Sequence, residues 1–109
     1  MAMSSESQKL QAAFLLGVKQ IERSANQIFE QRGHLYNENR AIPEFFLHGA
    51  QDTIYEIYKK VLRLDSLVSL DALDKECLDS VVDIINYAKF TGSLLLLQKG
   101  MKLNEDSDN

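Results

Sequence analysis

Three carboxylates, Glu76, Asp79 and Asp83, stand three and four residues apart in the stretch ECLDSVVDIINYAKF, residues 76–90. On a helix that spacing puts them within about 60° of one another. Carboxylates so placed have two uses. They hold a hydrated divalent cation, which in turn binds phosphate oxygens and activates a water. Alternatively they form the solvated side of a helix, paired with Lys60 and Arg63 of the preceding segment. The same angular sector continues into Tyr87, Phe90 and Leu94, so the row borders an apolar patch where a ligand would sit.

The other reactive residue types form weaker patterns. Lys59, Lys60 and Arg63 suit either a phosphate or an ordinary solvated helix face. Tyr55, Tyr58 and Tyr87 suit either base stacking or packing. His34 and His48 lack metal-ligand spacing and read as loop histidines. Cys77, the single cysteine, excludes an intrachain disulfide and reads as a small core residue. No Gly-rich phosphate loop and no nucleophile motif is present.

The elements that must carry these residues are helices. The chain has 109 residues with one proline and five glycines, too few turn-formers for an all-β fold. Apolar residues make up 45% and charged ones 26%, an ordinary globular balance. A net charge of −4 argues against sequence-independent nucleic-acid binding. The start MAMSSESQKL lacks the pattern of a signal peptide, and the run from Leu94 to Leu97 is far too short to span a bilayer. A cytoplasmic protein without a membrane partner is expected.

Ser5 and Gln8 have capping-box spacing at the head of a first helix, with Leu10, Phe14, Val18, Ile21, Ala25, Ile28 and Phe29 along one face. Gly33 is placed to end it. The stretch HLYNENRAI reads as a polar connection, with Pro43 in the next first turn. FFLHGAQD reads as a short helix and a turn, with Asp52 capping a second long helix. DSLVSLDALD is the second connection, and Asp71 or Asp74 caps a third helix whose apolar face is Cys77, Leu78, Val81, Val82, Ile84, Ile85 and Ala88. Leu94 to Leu97 then point all around the axis, which calls for burial by a second subunit. The expected fold is all-α: three to four helices in an antiparallel bundle completed by oligomerisation. Residues 1–103 form one domain and 104–109 a disordered acidic tail.

IYEIYKKVLRLDSL followed by DKECLDSVVDIINYAKF resembles the two-helix signature of the nucleotide modification associated domain 1 family. Lys60, Arg63, Leu64 and Leu67 match its K-x-x-R-L-x-x-L helix. Glu76, Asp79, Asp83, Tyr87 and Ala88 match the following E-x-x-D-x-x-x-D-x-x-x-Y-A. That family is small, helical, common in bacteriophages and similar to MazG-like nucleotide pyrophosphohydrolases. The resemblance implies an oligomer, a dimer or tetramer, in a bacterial or phage-infected cytoplasm. It implies Mg²⁺ held by Glu76, Asp79 and Asp83, with Lys60, Arg63 and Tyr87 contacting a nucleotide, and pyrophosphohydrolase chemistry. The sequence departs from those enzymes in one respect: no E-E-x-x-E stretch occurs in the first or second helix. The alternative expectation is a non-enzymatic interaction protein, such as a phage-encoded inhibitor of a host defence component.

Overall fold

The computed structural model describes residues 2–36 and 41–100, with no side-chain detail for 33–36. It is all-α: α1 (Ser5–Tyr36), a one-turn 3₁₀ helix (Ile42–Phe45), α2 (Ala50–Ser69) and α3 (Lys75–Lys99). The sequence-based tail, 104–109, lies outside the described residues, as does the connection at 37–40.

α1 starts where expected, but Ser4 rather than Ser5 supplies the cap, its Oγ accepting the Ser7 N–H at 3.1 Å. The helix does not stop at Gly33; it continues to Tyr36 and takes the His34 backbone with it. A glycine inside a helix costs about 1 kcal/mol relative to alanine. The turn before it is tied to α3 through Arg32 and Asp83, 3.1 Å apart, so a local stop signal is overridden by a tertiary contact.

Pro43 opens the 3₁₀ helix, and the Ala41 N–H donates to Glu44 Oε1 at 2.6 Å. Asp52 is not the expected cap: α2 starts earlier, with Gly49 at its N-cap, and Asp52 in the first turn accepts the His48 N–H at 2.9 Å. The first residue of α2, Ala50, donates its N–H to Gln98 Oε1 at 3.2 Å, so the end of α3 satisfies the start of α2. The expected connection beginning at Asp65 is helical instead, because half-buried Leu64 and Leu67 extend the α2 seam against α3. α2 ends where Asp71 takes a left-handed φ of 58°, and the Ala72 N–H returns to Leu67 O at 2.8 Å. Aspartate tolerates that conformation better than most residues. Asp74 then caps α3, accepting the Glu76 N–H at 3.0 Å.

α2 and α3 form an antiparallel hairpin, shown by the pairings Thr53 with Thr91, Lys60 with Asp83 and Arg63 with Glu76. α1 packs on α3 only through its second half, with Ala25 buried and Ile28 and Phe29 half-buried. α3 is therefore the central helix. Its buried residues are Cys77, Ser80, Val82, Asn86 and Leu94, while Leu78 is 55% exposed. The core face is thus turned from the expected one, because α3 serves two neighbours rather than one. The leucine run divides likewise, from Leu94 at 6% exposure to Leu97 at 65%. By length and composition alone α3 is apolar enough to cross a membrane (mean hydropathy 1.2), yet ion-paired Asp83 sits mid-helix in the seam with its neighbours.

Candidate functional site

Of the acidic row only Asp83 lies in the seam where α1 and α2 meet α3; Glu76 and Asp79 are exposed. The Asp83 side chain is only 13% exposed. Arg32 Nη1 from α1 reaches its Oδ1 at 3.1 Å, and Lys60 Nζ from α2 reaches its Oδ2 at 3.0 Å. One carboxylate so ties all three helices. Glu76 pairs with Arg63 at 3.4 Å. Asp79 pairs with Lys75, one turn back on its own helix, at 3.2 Å. The last two pairs are largely exposed and contribute little to stability.

The structure therefore places each expected metal ligand against its own cation rather than round a common ion. Among the described residues no group of three His, Cys, Asp or Glu side chains is arranged to hold a metal. Four ammonium or guanidinium groups contact the three carboxylates, so a divalent cation there would have to displace them. The paired-helix-face reading of Lys60 and Arg63 matches their positions.

One turn beyond Asp83, Phe29, Arg32, Asp83, Asn86, Tyr87 and Phe90 enclose a cavity of about 20 Å³, room for one water-sized group. Its walls are aromatic: the Phe29 and Phe90 centroids lie 5.2 Å apart, and Tyr87 meets Phe90 edge-on at 6.1 Å. Phe46, from the residue after the 3₁₀ helix, backs Phe90 at 5.6 Å. Outside the cavity, Lys89 Nζ lies 2.6 Å from Asn26 Oδ1 and 4.9 Å from the Phe29 ring centroid.

Asn86 is 6% exposed, and neither its Oδ1 nor its Nδ2 has a hydrogen-bond partner among the described residues. A buried amide in that state costs on the order of 1–3 kcal/mol. Native structures keep few such groups. The signal was present in the sequence as one amide inside the apolar run Ile84-Ile85-Asn86-Tyr87-Ala88. Of the expected nucleotide contacts, the structure brings Tyr87 into this cavity and Lys60 to its carboxylate wall, while Arg63 stands farther along α3 at Glu76.

The remaining candidates lie outside the cavity. The Cys77 thiol is buried and donates to Ala72 O at 3.0 Å. His48 belongs to the turn before α2, with Nδ1 3.2 Å from Asp52 Oδ1. Tyr55 and Tyr58 are 61% and 60% exposed on the outer face of α2, away from the cavity.

Compared with protein-family models, curated proteins and solved structures, the chain matches none of them.

Proposed function

We propose that this protein binds a nucleotide at the junction of its three helices, base toward Asn86 and phosphates toward Arg32, Lys60 and Arg63. The observation that carries this reading is the buried, unpaired Asn86 amide beside a carboxylate held by two cations. A carboxamide offers a donor and an acceptor in one plane, which matches the hydrogen-bonding edge of a base. Phe29, Tyr87 and Phe90 supply apolar ring surface around it. The cavity holds only one water-sized group, so entry of a base requires Arg32 to swing outward. Its side chain is 52% exposed and has room to move, with Lys60 left to hold Asp83 and the incoming phosphate taking the place of the lost partner. No hydrolytic step is assigned, and the reading stands without a resident metal.

Titration calorimetry with a panel of deoxynucleoside triphosphates, with and without Mg²⁺, tests it. At least one nucleotide binds to the wild type, and Asn86→Leu abolishes that binding while the variant keeps its helical spectrum and melts no lower than the wild type. Absence of binding across the panel, or equal binding by Asn86→Leu, overturns the reading.

A second reading, the non-enzymatic interaction protein, is favoured by the outer face of α2. There Ile54, Tyr55, Tyr58, Val61 and Leu62 are each 45–61% exposed on one stripe. Exposed tyrosines among aliphatic residues are typical of protein-binding surfaces.

A further inference from the structure

The first half of α1 is apolar and unpacked. From Ser5 to Gln20 no residue is buried, although Leu10, Phe14, Leu15, Leu16 and Val18 are among them, with Leu10 73% and Phe14 69% exposed. Phe14, Gly17, Val18 and Ile21 overhang Leu78 and Ile85 of α3 across a cleft of about 540 Å³, room for several large side chains.

The exposed area says how much cover is needed. A folded monomer of 12.4 kDa exposes about 6,100 Å² by the usual size scaling. This chain exposes 8604 Å². Fourteen residues lie outside the description. When that many fully solvated residues, about 2,300 Å², are set aside and the expectation is lowered to about 5,500 Å² for the rest, an excess of roughly 750 Å² remains. That is about one partner's share of a standard interface. The chain's own terminal segment, MKLNEDSDN, is too polar to supply that cover.

We infer that a second copy of this chain covers the stripe, α1 against α1 in antiparallel register about a two-fold axis between Leu15 and Leu16. Leu10, Phe14, Gly17 and Ile21 alternate by four, three and four residues, the spacing of a coiled-coil seam. Antiparallel pairing about that axis sets Leu10 opposite Ile21 of the partner subunit and Phe14 opposite Gly17 of the partner subunit. The two layers are complementary in size, since a Cβ added at Gly17 meets nothing within 4 Å and leaves a gap for a large ring. The proposal goes beyond the nucleotide reading and does not depend on it. A closed two-fold pairing also uses each stripe once and leaves no open end for further addition.

Light scattering on the full chain at micromolar concentration tests the pairing. The wild type gives twice 12.4 kDa, or a multiple of that dimer. Phe14→Asp, at a position already exposed in the single chain, falls to half the wild-type mass with its helical circular dichroism retained. Oxidation of the double variant Phe14→Cys, Gly17→Cys gives a covalent dimer at low protein concentration, whereas Lys19→Cys on the opposite side of α1 does not. A wild-type mass of one chain, an unchanged mass for Phe14→Asp, or no selective cross-link overturns the proposal. A dissimilar occupant of the stripe would give the first of these results.

Discussion

The hydroxyls of Thr53 and Thr91 lie 2.6 Å apart, joining α2 to α3 where Thr53 is fully buried. Each hydroxyl has one proton, so a single chain of donation runs through the pair. Either Thr53 donates to Thr91, which donates to Tyr87 O, or Thr91 donates to Thr53, which donates to Ala50 O. In both cases the bond fixes the register of the hairpin that carries Lys60 and Asp83. Thr53→Val and Thr91→Val should each lower stability by about 1 kcal/mol. The double variant should lose less than the sum, because the two share one bond. Urea unfolding of the four proteins measures this, and strict additivity would show the hydroxyls to be uncoupled.

Asp83→Asn keeps the shape of the side chain but leaves Arg32 and Lys60 facing a neutral amide. The expected loss is about 1.5–3 kcal/mol, the range for hydrogen bonds to charged groups. Lys60→Met should lose less, because Asp83 retains Arg32. Chemical denaturation ranks the two. A gain in stability for Asp83→Asn would instead mark a carboxylate held there for an ion or ligand.

Asp79 and Lys75 have side chains 53% and 85% exposed. Asp79→Asn should therefore change stability by no more than about 0.5 kcal/mol. Millimolar Mg²⁺ should leave the melting temperature of wild type and variant alike. A magnesium-dependent rise in the wild type that Asp79→Asn removes would restore the acidic row as a cation site.

Asn86→Leu removes the unpaired amide at similar volume, so the folded state should gain on the order of 1 kcal/mol. Denaturant midpoints decide the sign. A gain coupled with loss of ligand binding is the pattern of a residue held for function at the expense of stability. A large loss would show that the amide has partners in solution.

Acid should act partly through Asp52, whose carboxyl is lowered from its ordinary range chiefly by the His48 backbone N–H. A lowered folded value means the contribution is present above the unfolded pKa, near 4. It fades as pH falls through the folded value. Asp52→Asn should flatten the stability curve below about pH 4 and leave its slope unchanged near neutrality. Melts across the acid range check it.

Much of the local structure was legible because its causes are local. Asp74 caps α3 by bonding a backbone group two residues on, and the apolar spacing from Leu10 to Phe29 marks α1. The misreadings arose where distant residues decide. Gly33 signals a stop within its own segment, but Arg32 is held by a carboxylate 51 residues away. The acidic row read as one face of one helix. Nothing in its spacing says that Asp83 would meet cations from two other helices while Asp79 stays at the surface. Asn86 was visible as an oddity within an apolar run, but its missing partners belong to tertiary packing. The fold class was therefore readable, and the cavity was not.

The separation of contacts along the chain also sets an order of assembly. Arg63–Glu76 and Thr53–Thr91 close loops of 13 and 38 residues, whereas Arg32–Asp83 and Asn26–Lys89 close loops of 51 and 63. Shorter closures lose less chain entropy and form faster. The hairpin should serve as the folding nucleus, with α1 docking late. In stopped-flow mixing, Thr53→Val should slow refolding, while Arg32→Ala should leave refolding nearly unchanged and speed unfolding. During translation the order is reversed: α1 emerges first and must wait, amphipathic and unpaired, until α3 has cleared the ribosome.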